Sequence, residues 1–177
     1  MITIDFNDIF ERCRRETAYI GRDHAFADSD KLRATTDDKT FSPQYAGQFH
    51  LIRIRGSDKT RIDSFINEGA HIVEAAIGWA LQGRGQYTLQ AVAWQFRPNI
   101  LTGNDTLQVA GLIEDILTHY TIFRWLNTKD NNTADTYETL WRQATKNINL
   151  TLFNSSTPTK RKPYNYENTS QQDNQRR

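Results

Sequence analysis

Apolar residues recur at steps of three and four in four stretches of the chain, and each stretch predicts an amphipathic helix. Phe6, Ile9, Phe10, Cys13, Thr17 and Ile20 mark the first, over residues 5 to 20, with Asp5 as its cap and Gly21 as its end. Ile62, Phe65, Ile66, Gly69, Val73, Ala76, Ile77 and Ala80 mark the second, over residues 58 to 82, where Gly69 and Gly78 lower helix propensity but permit close approach of a neighbour. Leu107, Ala110, Ile113, Leu117 and Tyr120 mark the third, over residues 104 to 127; Leu112, Ile116 and Phe123 widen its apolar face, so it should lie deep. Beyond the polar linker KDNNTAD, Thr136 opens the fourth, over residues 136 to 153, with Tyr137, Leu140, Trp141, Ala144 and Ile148 on one side and Leu150, Leu152 and Phe153 anchoring its end. The short linker favours an antiparallel pair. The predicted core is Phe65, Ile66, Val73, Ile113, Leu117, Tyr120, Leu140 and Trp141.

Between the helices the pattern changes. Residues 22 to 48 mix charge, Thr, Ser and Pro43 without a period and read as a long connection; FHLIRIR, residues 49 to 55, reads as a short strand before Gly56, Ser57 and Asp58. The segment 22 to 55 is therefore expected to be a long loop, suited to contacts between neighbouring subunits. GRGQ, residues 83 to 86, is turn chemistry, and YTLQAVAWQF after it reads as a strand closed by Pro98. From residue 155 the chain reads SSTPTKRKPYNYENTSQQDNQRR, with too little apolar surface to build a core alone. The expected fold is mainly α: a four-helix bundle-like body over residues 1 to 154, a short β element at about 87 to 96, and an extended C-terminal arm over residues 155 to 177.

A length of 177 residues fits one body with appendages. Charge is nearly balanced, 22 Lys and Arg against 21 Asp and Glu, so no overall field draws the protein to nucleic acid or an anionic membrane. The start MITIDFNDIFERCRR lacks an uninterrupted apolar core, and nowhere do about 18 apolar residues run together, which predicts neither export by that route nor a membrane span. Cys13, the single cysteine, sits on the first apolar stripe and reads as a buried thiol.

Catalytic chemistry is not indicated. His24, His50, His71 and His119 form no HxxxH or HExxH pair, and GRG lacks both the third glycine of a dinucleotide fingerprint and the lysine of a P-loop. Glu114 and Asp115 are helix neighbours that point in different directions, and no serine occupies a GxSxG elbow. Asn104 and Asn149 begin glycosylation triplets that matter only in a secretory compartment. The expectation is a protein that is not an enzyme and takes no cofactor or metal.

Two charged features carry partner readings. Arg12, Arg14 and Arg15 lie opposite the apolar stripe of the first helix, placed for another subunit, for DNA, or for solvent. Lys160, Arg161 and Lys162 stand between Pro158 and Pro163 and precede Tyr164 and Tyr166. Prolines bias such a segment toward extended geometry, tyrosines supply anchors and cations steer association, a set suited to docking.

With RETAYIG at 15 to 21, RIDSFINEGAHIVEAAIGWAL at 61 to 81, FRWL at 123 to 126, the fourth helix and LFNSSTPTKRKPY after it, the chain resembles the small head-to-tail connector, or adaptor, proteins of tailed bacteriophages, of the type found in phages and prophages of Bacteroides-like bacteria. The resemblance covers the first helix and residues 57 to 164. It implies a helical body that assembles as a twelvefold ring beneath the portal, made in the host cytoplasm and resident in the virion, with genomic DNA passing through without sequence-specific recognition. It implies further that residues 157 to 166 dock on a neighbouring ring. A neck or tail-completion ring one layer further out is the near alternative, and a small helical nucleic-acid-binding protein is the alternative of another class.

Overall fold

The computed structural model describes the backbone of residues 1–35, 52–101 and 103–156. Among these residues, four helices and a small antiparallel sheet form the body: β1 (Ile2–Asp5), α1 (Phe6–Thr35), α2 (Lys59–Ile77), β2 (Gln86–Tyr87), β3 (Ala91–Trp94), α3 (Gly103–Leu126) and α4 (Asn131–Ser156). Single 3-10 turns flank α2, at Gly56–Asp58 and Gly78–Ala80.

The mainly helical fold with a short β element is as expected, and α3 is central. Ile113, Ile116, Leu117, Ile122 and Leu126 are fully enclosed, and buried Thr118 and Thr121 extend the covered surface around the helix. A helix apolar on every side needs neighbours on every side, and α3 meets α1, α2, α4 and β1. Gly69 sets the approach of α2: a Cβ there would stand 3.1 Å from Tyr120 Cδ1 and 3.2 Å from Leu117 Cδ2. At Gly78 a Cβ would meet nothing within 4 Å, so that glycine serves no close packing.

Several boundaries move. The chain begins as a strand, with Ile2 and Ile4 buried and Thr3 and Asp5 exposed, paired to β3 in the register Ile2↔Trp94 to Asp5↔Ala91. Asp5 is also the cap expected for α1, its Oδ1 accepting from the Asn7 N–H at 2.7 Å. Gly21 does not end α1, which continues to Thr35; a lone glycine costs only about 1 kcal/mol against alanine, and no proline follows before Pro43. The expected loop over 22 to 55 is thus helical through Thr35, and residues 36–51 lie outside the described residues.

Residues 52 to 55 are not a strand. Ile52 and Ile54 are buried, and the segment is tied down by side chains: the Ile54 N–H donates to Thr17 Oγ1 at 3.1 Å and Trp125 Nε1 donates to Ile52 O at 2.6 Å. The expected single strand over 87 to 96 is a hairpin. Thr88 makes its turn, its Oγ1 accepting from the N–H groups of Gln90 and Ala91. Beyond β3 the pairing runs on, with Gln82 N–H to Gln95 O and Arg97 N–H to Ala80 O, which staples the end of α2 to the sheet. The fourth helix starts five residues early because Asp130 caps it, accepting from the Thr133 N–H at 3.3 Å. It ends three residues late, at Ser156. Leu140, assigned to the core, is 41% exposed, and Leu107, Leu150 and Phe153 also face outward, while Leu152 is buried as expected.

Candidate functional site

The arginines of α1 are held by the protein's own acids. Arg12 donates to Asp115 Oδ1 at 2.5 Å and to Glu16 Oε1 at 3.3 Å. Burial disfavours its charge, but these two carboxylates outweigh that, and its pKa lies above the ordinary arginine value. Arg14 grips Glu11 at 2.8 Å. Arg15 lines a shallow groove of about 370 Å³ with Asp8, Glu11 and Glu114. The α1 face is therefore a mixed ion-pair surface and not a positive stripe. Glu114 and Asp115 diverge as their helix positions predict, one to the groove and the other to Arg12.

Behind this face lies a polar cluster shared by α1, α3 and α4. Tyr137 Oη approaches Glu16 Oε2 at 3.4 Å, and the His119 ring is tilted against Tyr137 at 5.7 Å. Burial first, then Glu16, pushes the Tyr137 hydroxyl up to about 12. Burial likewise pushes up the Cys13 thiol, so this sulfur is kept neutral as the sequence predicts. For His119, burial outweighs the pull of Glu16 and Asp115, Arg12 adds to it, and its pKa is lowered. The folded form thus disfavours the cation that the unfolded chain forms near its ordinary value of about 6.5. Stability should fall as pH drops through that value, and the loss should stop growing once the folded histidine protonates. Urea midpoints at neutral pH and at mildly acid pH should separate more for the native chain than for His119→Gln; equal separation would refute this assignment.

A second groove, of about 740 Å³, opens between the C-terminal end of α2 and the Gly83–Gly85 turn. Glu74 organises it. Its Oε2 accepts from the Gly85 N–H at 3.0 Å, from Tyr87 Oη at 2.8 Å and from Trp94 Nε1 at 3.4 Å. Desolvation raises the Glu74 pKa, but these donors together with His71 outweigh it, and the net shift is downward. Position 85 admits only glycine without rearrangement, because a Cβ would sit 2.8 Å from both Glu74 Oε2 and Trp94 Nε1. The His71 ring lies 4.7 Å from that of Tyr87, and Arg84 and Arg97 stand on the rim. GRGQ is a turn, as read from sequence; nothing in the local spacing marks Glu74 as its fastening, since the partners come from the turn and from two strands.

Among the described residues no cluster of His, Cys, Asp or Glu is placed to hold a metal ion, and no helix is long and apolar enough to cross a membrane. Pro158, Lys160, Arg161, Lys162, Pro163, Tyr164 and Tyr166 lie outside the described residues. No family model, curated protein or solved structure matches the chain.

Proposed function

We propose that the protein is a structural subunit of a ring at the portal or neck of a tailed phage, joining capsid to tail. The motifs behind the resemblance fall on the packed framework: RETAYIG within α1, RIDSFINEGAHIVEAAIGWAL across α2 and its closing turn, and FRWL at the end of α3. The observation that carries the reading is the distribution of exposed apolar side chains. Leu89, 96% exposed, projects from the turn of the sheet hairpin; Leu107, 80% exposed, and Leu150, 60% exposed, project from α3 and α4. Trp79, also part-exposed, joins this helical surface through its Nε1, which donates to Asn149 Oδ1 at 3.1 Å. A closed ring of one chain needs two different surfaces per subunit, each meeting the other on its neighbour.

Pairing of Arg12 and Arg14 with internal carboxylates counts against the nucleic-acid-binding alternative, which needs those cations for phosphates. It suits a channel wall past which DNA slides. The test is to mix the purified chain with assembled portal from the same phage and image the product by electron microscopy. A ring of this protein seated on the portal is expected. Portal that binds the next neck protein directly, with this chain left free at every accessible concentration, would overturn the reading.

A further inference from the structure

We propose that the groove between the end of α2 and the Gly83–Gly85 turn receives an extended acidic segment of a partner protein, whose carboxylates are held by Arg84 and Arg97. Both arginines are exposed, both line the groove, and neither meets a carboxylate among the described residues. Arg97 is aimed: its Nε donates to Leu81 O at 2.9 Å, which fixes the guanidinium plane and leaves the terminal amino groups for another acceptor. Glu74 also lines the groove, but its Oε2 accepts from Gly85, Tyr87 and Trp94 and from neither arginine.

The shape favours a chain segment over a small molecule. The groove is wide and open to solvent, so it would bury little of a compact ligand. Ala75, Gly78 and Leu81 give it an apolar floor, and added atoms at Gly78 or Gly83 would meet nothing within 4 Å, so the path is clear. Charge favours protein over nucleic acid. Two arginines beside the anionic Glu74, on a chain of formal net charge +1, offer few phosphate contacts, whereas a guanidinium fork matches a single carboxylate side chain.

The experiment titrates the full-length, nitrogen-15-labelled chain at low salt with a short, end-blocked peptide alternating glutamate with alanine. The same peptide with glutamine and an oligothymidylate of equal length are run beside it. Amide shifts at Gly83, Arg84 and Gly85 are expected with the glutamate peptide. Arg84→Glu should weaken binding by at least about tenfold, which is about 1.4 kcal/mol, and adding Arg97→Glu should abolish it. Among the described residues the Arg84 side chain is exposed and makes no hydrogen bond or ion pair, so its replacement breaks no polar contact of the fold. The inference is overturned if the glutamine peptide binds equally, if the oligonucleotide binds the same residues more tightly, if Arg84→Glu binds as the native chain does, or if no shift appears. Portal plays no part in this titration, so its outcome is separate from that of the ring reading.

Discussion

Leu117→Ala should lower the free energy of unfolding by about 2 to 5 kcal/mol. Leu117 is fully enclosed near the middle of α3, and its Cδ2 lies against the bare backbone of Gly69 on α2. Truncation forfeits the buried methyl groups and leaves a void. The void closes poorly because Tyr120, on the same face, is held at one end by Glu68 through a 3.2 Å hydrogen bond and at its ring by Trp141, packed edge-on at 5.6 Å. Leu107→Ala provides the contrast: the same chemistry at a position 80% exposed should change stability by no more than about 0.5 kcal/mol. Denaturant titration of both variants decides it. A small loss at Leu117 would mean that α3 is not the centre of the fold.

Deleting residues 157–177 should abolish incorporation into particles while leaving the melting temperature of the body nearly unchanged. Among the described residues the last fully buried side chain is Leu152, one turn before α4 ends at Ser156, so the cut removes none of the described core. Under the ring reading the deleted segment supplies Tyr164 and Tyr166 as anchors and Lys160, Arg161 and Lys162 as contacts for acidic groups. Replacing both tyrosines by alanine should weaken incorporation without shortening the chain. Particles that assemble and retain DNA with the deleted form would remove the docking role. A body that melts much lower would show that the segment packs against its own helices.

The helices and most of the core were legible because packing on one face leaves a 3.6-residue period, and Phe65, Ile66, Val73, Ile113 and Leu117 all follow it into the interior. Leu140 and Leu107 follow the same period and yet face solvent. Periodicity assigns a residue to a side of a helix, but how far along the helix a neighbour extends is a tertiary fact. The first strand was missed because its signal is only two alternating isoleucines, Ile2 and Ile4, next to a far longer helical pattern. Asp130 was passed over as a cap in favour of Thr136, since a polar run such as KDNNTAD can serve as linker or first turn equally well. Of the predicted partner residues, Arg12 and Arg14 have acids at helical spacing on α1, Glu16 and Glu11, but the second acid of Arg12, Asp115, comes from another helix and no local spacing marks it. The groove at Glu74 needs α2, the turn and two strands at once, and no local window contains them.

The pairing of β1 with β3 also sets an order of events during synthesis. Ile2 leaves the ribosome well before its partner Trp94, from which two helices and a hairpin strand separate it in the chain. At translation rates of about 5 to 20 residues per second, the strand waits roughly 5 to 20 s with its isoleucines uncovered. Helices α3 and α4 follow β3 in the chain, so both partners of this pairing are made before that helical pair can close. Strand β1 is thus made long before the strand that seats it, and until then its apolar edge is open to chaperones and to other nascent copies of the chain.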